Sequence, residues 1–168
     1  MKVRLQALLF TVALGLWGQA VAQGNGAGTV ESKLEVSKVV VKDGKDSLEP
    51  AGAARPGDVL QYVANYTNKG RAGVTNLEAT LPIPPNTELI IDSIKPSGAK
   101  ASIGGSTFGD IPLKRKVRQA NGVEFEQIVP VREYRSLRWY PGALAAGATV
   151  SFTARVKVVD DRQAPQKQ

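Results

Sequence analysis

The chain has 168 residues, 22 of them Lys or Arg and 15 Asp or Glu, and it contains neither His nor Cys. This length accommodates one domain of ordinary size. The missing residue types exclude a Ser-His-Asp or Cys-His nucleophile, a thiolate zinc site and a disulfide. Hydrophobic residues at 42% and charged residues at 22% are typical of a globular protein, so we expect most of the chain to fold.

The first 22 residues predict a secretory signal peptide. Lys2 and Arg4 precede an apolar run over residues 5–17, and residues 20–22 (Ala-Val-Ala) have the small-x-small pattern of a cleavage site. The run is about 13 residues long, whereas a membrane-spanning helix needs roughly 20. We therefore expect cleavage, no stable membrane insertion, and export to the periplasm or the cell exterior. Cleavage changes the formal net charge from +7 to +7 − 2 = +5.

The rest of the chain divides into a flexible N-terminal segment (23–32), a β-sandwich domain (33–159) and a disordered tail (160–168). The two end segments are polar and aperiodic. Between them, short β-branched or aromatic runs alternate with Gly and Pro clusters, and no apolar stripe of helical period persists over three turns. Nine short strands predict a sandwich of two antiparallel sheets. They cover residues 33–42, 58–68, 74–81, 88–94, 99–103, 113–119, 123–129, 135–140 and 149–159.

Alternation of apolar and polar residues predicts which strand faces form the core. In the last strand the even-numbered residues from Val150 to Val158 are apolar, whereas most of the odd-numbered residues are polar. Such a period of two places one face in the core and the other in solvent. The side chains that we expect to be largely buried are Leu60, Tyr62, Leu81, Trp139, Phe152, Val156 and Val158.

Two loops have recognisable turn chemistry. Asn121-Gly122 lies between two predicted strands, and Asn-Gly is typical of the type I′ turn of a β-hairpin. Residues 82–86 contain three prolines, which cannot donate ladder hydrogen bonds. This stretch is therefore predicted to cross from one sheet to the other.

Several motifs resemble the bacterial conserved repeat domain, also called domain of unknown function 11. Residues 55–62 (RPGDVLQY), 66–70 (YTNKG), 81–82 (LP) and 86–89 (NTEL) are similar to its turn and strand motifs. A Trp-bearing strand at 137–139, a Leu-x-x-Gly turn at 144–147 and the last strand are similar to its ending. The resemblance covers residues 34–159. Its motif residues in this chain are Pro56, Gly57, Asp58, Tyr62, Asn68, Gly70, Leu81, Pro82, Trp139 and Gly147.

The resemblance implies an immunoglobulin-like sandwich in an exported bacterial envelope protein. These motif residues have structural explanations, so we interpret them as scaffold. Pro56-Gly57-Asp58 is predicted to form the turn that starts a strand, and residues 68–70 to close that strand in left-handed conformations. The chain carries one copy of the motif set, which favours a freestanding module over a tandem stalk.

Positive charge concentrates at Lys114, Arg115, Lys116 and Arg118, which we call the basic patch. One interpretation is a binding site for an anionic envelope polymer. The other is a solvated strand face, because Glu124, Glu126 and Glu133 in the partner run across the hairpin would form cross-strand ion pairs. We favour the solvated face.

No other residue set predicts a catalytic site, a metal site or a cofactor. Glu124 and Glu126 share a strand face without a sugar cleft, and the Asp residues lack the spacing of a calcium loop. Trp139 is either a carbohydrate-stacking platform or a core residue, and its place in a predicted strand favours the core.

The sequence thus predicts a non-enzymatic structural or interaction module whose partner is a protein or an envelope polymer. We expect no nucleic-acid partner, and the sequence leaves self-association open. One alternative is a pilin-like filament subunit, in which residues 24–31 and the β-branched run 36–41 are donated as a strand to the next subunit. The other alternative is a binder of an anionic envelope polymer through the basic patch.

Overall fold

The computed structural model describes residues 29–160. The predicted signal peptide, residues 23–28 of the predicted flexible segment and residues 161–168 of the predicted tail lie outside the described residues. Ten strands and one 3-10 helix, with no α-helix, make up the described part of the chain. The strands are β1 (Val30–Lys42), β2 (Lys45–Pro50), β3 (Val59–Asn68), β4 (Val74–Pro82), β5 (Thr87–Lys95), β6 (Lys100–Ser102), β7 (Lys114–Arg118), β8 (Glu124–Ile128), β9 (Ser136–Leu144) and β10 (Thr149–Val158), and the 3-10 helix is Val131–Glu133.

The strands form three antiparallel groups. A large sheet has the order β2-β1-β3-β10-β5, and a small sheet has the order β4-β9-β6. The third group is the β7–β8 hairpin. In the large sheet β1 and β10 pair with opposite sides of β3, both antiparallel to it.

One hydrophobic core joins the large and small sheets. The rings of Trp139 in β9 and Phe152 in β10 lie 4.8 Å apart between their centroids. The Tyr66 hydroxyl in β3 donates to the Thr80 carbonyl in β4 and accepts from the Thr80 N–H, both at 2.8 Å. The protein is therefore all-β with antiparallel sheets around a shared core, an arrangement consistent with a β-sandwich.

The predicted core faces are confirmed. Six of the seven side chains named above are buried, and Val158, near the end of β10, is half-buried. The 82–86 stretch does connect β4 of the small sheet to β5 of the large sheet. Period-two alternation thus identified the inward side of the main strands.

All nine predicted strands are present, with two differences at their ends. Strand β1 begins at Val30, inside the predicted flexible segment, because residues 30–32 pair with the end of β3. Strand β9 continues past Tyr140 to Leu144 through Pro141 and Gly142. Register shifts against β4 accommodate this extension.

Strand β2 is absent from the prediction. Asp43 and Gly44 have φ angles of 51° and 72°, as a type I′ turn requires, and they connect β1 to β2. The Asp-Gly pair signals such a hairpin as strongly as Asn-Gly does. The polar sequence of β2 becomes a strand because this turn folds it back onto β1.

The turn at Asn121-Gly122 is a hairpin, but the predicted type I′ geometry is wrong. Among residues 119–123 only Gly122 has a positive φ, of 83°. Its N–H donates to the Gln119 carbonyl, and the Gln119 N–H donates to the Val123 carbonyl, both at 2.9 Å. This is a three-residue loop that ends in a left-handed glycine, so Asn121 does not need a left-handed conformation.

The predicted left-handed closure at residues 68–70 is also wrong, since none of these three residues has a positive φ. Asn68 is fully buried and acts through its side chain. Its Nδ2 donates to the carbonyls of Ala72 at 2.8 Å and Leu144 at 3.0 Å, and its Oδ1 accepts from the Gly70 N–H at 2.9 Å. Asn68 therefore fixes the β3–β4 loop against the end of β9.

Strands β1 and β2 extend the large sheet beyond the core. All their residues are described, and none of them is buried. Leu34 and Leu48 are among the exposed large hydrophobic residues. The β1–β2 hairpin is therefore an overhang whose faces and outer edge are accessible.

Candidate functional site

The outer face of the large sheet is concave. Arg155 in β10 forms an ion pair with Asp46 in β2, although β3 and β1 lie between these strands. In a flat sheet three strand spacings would separate the two backbones by about 14 Å. The β1–β2 hairpin must therefore curl over the outer face to bring Asp46 to Arg155.

This curl encloses a groove of about 650 Å³, which we call the outer groove. Its floor contains the side chains of Val39, Val59 and Ile90, and Val41 lies at its margin with 72% of its surface exposed. The polar residues in its lining are Asp46, Gln61, Asp92, Ser93, Lys95, Thr153 and Arg155. The groove thus combines an apolar floor with charged groups of both signs.

A bulge in β5 shapes one wall of the outer groove. Between Thr153 and Arg155 the β10 chain advances two residues, whereas the paired β5 chain advances five, from Ile90 to Lys95. The Ser93 hydroxyl holds the bulge: it donates to the Ile90 carbonyl and accepts from the Arg155 N–H at 2.7 Å. Asp92 lies within the bulge, and none of the ion pairs between described residues includes it.

Arg155 occupies a central position in the outer groove. Its Nε donates to Gln61 Oε1 at 3.0 Å, and its Nη1 contacts Asp46. These two interactions fix the guanidinium beside the valine floor. A ligand that is partly apolar and carries its own charge or backbone amides would match this lining, because buried polar groups need partners.

Sequence reasoning missed the outer groove. The run 36–41 is predicted as a strand and as part of a donated segment, whereas Val39 and Val41 lie on the outward face, which alternation would make polar. These two outward valines and the Asp43-Gly44 turn are the local sequence features that indicate the groove. The Asp46–Arg155 contact joins residues 109 positions apart and has no local signal.

The basic patch lies on β7, and two of its four cations are paired. Lys114 Nζ is 3.1 Å from Glu126 Oε2, and Arg115 Nη1 is 2.7 Å from Glu133 Oε2. Lys116 and Arg118 are exposed and have no carboxylate within 4.0 Å among the described residues. The ion pairs expected for a solvated face are therefore present.

The turn predicted at residues 56–58 is confirmed. The Asp58 N–H donates to the Arg55 carbonyl at 3.0 Å, and Gly57 has a φ of 93°, as in a type II turn. Lys38 Nζ lies 2.8 Å from Asp58 Oδ1. The hydrogen bond from Lys38, followed by that from the Arg55 N–H, holds the pKa of Asp58 below its usual value.

The other motif residues also lie at core or turn positions. Tyr62, Leu81 and Trp139 are buried. Pro82 ends β4. The Gly147 N–H donates to the Asn68 carbonyl at 2.9 Å, and Gly147 has a φ of 72°.

Trp139 is a core residue and not a sugar platform. Only 3% of its surface is exposed, and its Nε1 donates to the Pro96 carbonyl at 2.8 Å. The neighbouring Tyr140 points outward and is 51% exposed. A stacked sugar cannot reach the indole ring in this position.

The described part of the segment predicted for donation to a neighbouring subunit is paired within its own chain, and residues 24–28 of that segment lie outside the described residues. Residues 30–39 pair with β3, and residues 37–42 pair with β2. Donation of the run 36–41 would require β1 to leave both partners.

The described residues contain neither a metal-binding cluster nor a membrane-spanning helix. Within residues 29–160, no cluster of three or more His, Cys, Asp or Glu residues has the proximity that a metal ion needs. No helix in the same range has the length and apolar character to span a membrane. No protein-family model, curated protein or solved structure matches the chain.

Proposed function

We propose that the protein is an exported, non-enzymatic interaction module of the bacterial envelope with an immunoglobulin-like fold, and that it binds a protein partner in the outer groove. The observation that carries this proposal is the apolar floor of Val39, Val59 and Ile90 on the outer face of a sheet. An apolar surface bordered by polar groups is typical of an interaction site. The sequence supports the export step through its predicted signal peptide, and the motif resemblance supports the fold.

The lining of the outer groove favours a protein segment over a polyanion. Arg155 and Lys95 are accompanied by Asp46 and Asp92, so the groove has no excess of positive charge. An extended peptide offers apolar side chains for the floor and amide groups for the polar wall. The groove volume of about 650 Å³ lies within the usual range of about 300–1,000 Å³ for ligand pockets.

The basic patch provides the alternative function, a binder of an anionic envelope polymer. The observation in its favour is that Lys116 and Arg118 are exposed and that no carboxylate within residues 29–160 pairs with them. Such binding would weaken steeply with added salt, because each neutralised anionic group releases a counterion.

Export is tested by producing the full chain in a bacterium and determining the N-terminus of the accumulated protein by mass spectrometry. Cleavage after Ala22 would leave Gln23 as the first residue. An uncleaved chain that stays in the cytoplasm would refute the export proposal.

Binding is tested by cosedimentation with isolated cell envelopes. The Val41→Lys variant introduces a charge at the margin of the outer groove, opposite Asp46, and should reduce the bound fraction. Ile103→Lys is the matched control, because Ile103 is 48% exposed, lies outside both the groove lining and the β7–β8 hairpin, and receives the same added charge.

A third variant distinguishes the two functions. Lys116→Gln combined with Arg118→Gln should leave binding unchanged if the outer groove is the site. Loss of binding in this variant alone would assign the binding site to the basic patch and refute the outer groove. Equal binding by all variants would exclude both surfaces as the binding site.

A further inference from the structure

Strand β2 forms a free edge of the large sheet, and its geometry defines which backbone groups are available. The two-residue Asp43-Gly44 turn makes Lys42 and Lys45 a hydrogen-bonded pair. Because antiparallel pairs alternate between bonded and non-bonded, Asp46, Leu48 and Pro50 direct their backbone groups away from β1. The free edge therefore offers two N–H groups and three carbonyls.

The other edges of the large and small sheets are less suited to an added strand. Strand β5 has the large bulge described above, and β4 has two register shifts against β9. Strand β6 has three residues, and Ala101 exchanges hydrogen bonds with Gly109. Strand β2 is regular along six residues, and its hairpin overhangs the core.

Leu48 gives the β2 edge an apolar centre. Its side chain is 50% exposed on the outer face and lies opposite Val39, which in turn lies opposite Val59. An apolar row therefore runs from β3 to the edge and ends there at Leu48. Exposed leucine on a regular edge strand is a template for pairing with another strand. Lysine and proline are among the residues that block such edges, and in β2 Lys45 and Pro50 lie at the two ends of the strand, with Leu48 between them.

We propose that β2 pairs with β2 of a second copy of the chain, antiparallel and with Leu48 opposite Leu48. The two Leu48 residues exchange two backbone hydrogen bonds. Each Asp46 N–H donates to the Pro50 carbonyl of the other copy, which adds two more. The two large sheets become one continuous ten-stranded sheet, and the apolar rows of both copies join at its centre.

Several symmetric registers are possible for an antiparallel β2–β2 pair. Charge and side-chain matching favour the register with Leu48 opposite Leu48. A pairing centred on Asp46 would place two carboxylates opposite each other, and one centred on Ser47 would place each Leu48 opposite Asp46. Centring on Leu48 places no like charges opposite each other. It also brings Lys45 diagonal to Glu49 of the other copy, within reach of a long side chain.

The natural absence of cysteine makes a cross-linking test specific. The test uses single-cysteine variants of the full chain, purified in the form that the cell produces and oxidised mildly. Directly opposed residues of a bonded antiparallel pair have Cα atoms about 5.5 Å apart, within the usual disulfide range of about 4.4–6.8 Å. Leu48→Cys should therefore form a disulfide-linked dimer.

Two further variants determine the register. Ser47→Cys and Glu49→Cys should not cross-link alone, because diagonal positions are about 7–8 Å apart. They should cross-link when mixed, since Ser47 lies opposite Glu49 in the proposed dimer. Ser106→Cys, an exposed position far from β2 in the chain, measures random collision.

Light scattering of the unmodified chain over a range of concentrations provides an independent readout. A dimer that Leu48→Lys converts to a monomer supports the proposal. A monomer at every concentration, efficient cross-linking of Ser47→Cys alone, or cross-linking of Leu48→Cys no faster than that of Ser106→Cys would each overturn it. None of these results depends on whether the outer groove binds a partner.

Discussion

Truncation of Trp139 to alanine should be among the most destabilising single substitutions in the core. The indole is 3% exposed, packs on Phe152 at 4.8 Å and donates a 2.8 Å hydrogen bond to the Pro96 carbonyl. Removing a buried aromatic side chain costs about 3 to 5 kcal/mol. That loss is a large share of a total stability that is typically about 5–15 kcal/mol.

A second variant, Trp139→Phe, separates the cost of the lost hydrogen bond to Pro96 from the cost of the lost packing. Trp139→Phe keeps most of the packing on Phe152 but leaves the Pro96 carbonyl without its donor. Pro96 is an exposed residue, so loss of this hydrogen bond costs about 0.5 to 1.5 kcal/mol, and Trp139→Phe should lie between the native protein and Trp139→Ala.

The assay is thermal and urea unfolding followed by circular dichroism, which does not need the tryptophan signal. For a domain of this size, a loss of 3 to 5 kcal/mol corresponds to a fall in Tm of about 10 to 20 °C. Tyr140→Ala is the matched control. Its side chain is 51% exposed, so it should change stability by no more than about 0.5 kcal/mol. A native-like Tm for Trp139→Ala would refute the assignment of this β9 face to the core.

Three further predictions concern Asn68, Asp58 and the basic patch. Asn68→Ala removes the three hydrogen bonds of a fully buried side chain and should lower the free energy of unfolding by at least about 2 kcal/mol in urea titrations; native-like stability would contradict its role in fixing the loop. Because Lys38 lowers the pKa of Asp58 in the folded state, the carboxylate stabilises the fold fully above its unfolded pKa of about 3.9 and loses this effect as the pH falls through the folded pKa. The stability difference between the native protein and Asp58→Asn should therefore shrink on acidification, and a difference that stays constant would exclude the ion pair as its cause. Lys116→Gln combined with Arg118→Gln should change the free energy of unfolding by no more than about 0.5 kcal/mol for each residue, and a larger loss would show that these exposed cations support the hairpin.

Local patterns predicted β3, β4, β5, β9 and β10 because each of these strands places side chains in the core. The alternation in β3 and β10 gives both their positions and their orientation, and Trp139 follows from its place in a strand. Strand β2 lacks this pattern, since its only large apolar residue is Leu48, on the outer face. It was predictable only from the Asp-Gly turn that precedes it.

Other features depend on contacts between distant parts of the chain. The side chain of Asn68 bonds the Leu144 carbonyl, 76 residues later, so its role cannot be inferred from the 68–70 motif alone. The outer groove requires both the curl that joins Asp46 to Arg155 and the bulge in β5. The type of the turn at Asn121 is also not fixed by its local sequence. The pairing register of β7 and β8 determines the loop length, and the loop length determines the turn type.

The placement of β1 and β10 on either side of β3 determines how the domain would respond to tension. Both strands run antiparallel to β3, so Val30 lies beside the end of β3 and Val158 beside its start, about 33 Å apart for ten residues. A pull between these two points would load the β1–β3 and β3–β10 hydrogen bonds along the strand direction, in shear. Many hydrogen bonds would then have to break together and not one after another. The domain would therefore resist unfolding by a force applied between these two points.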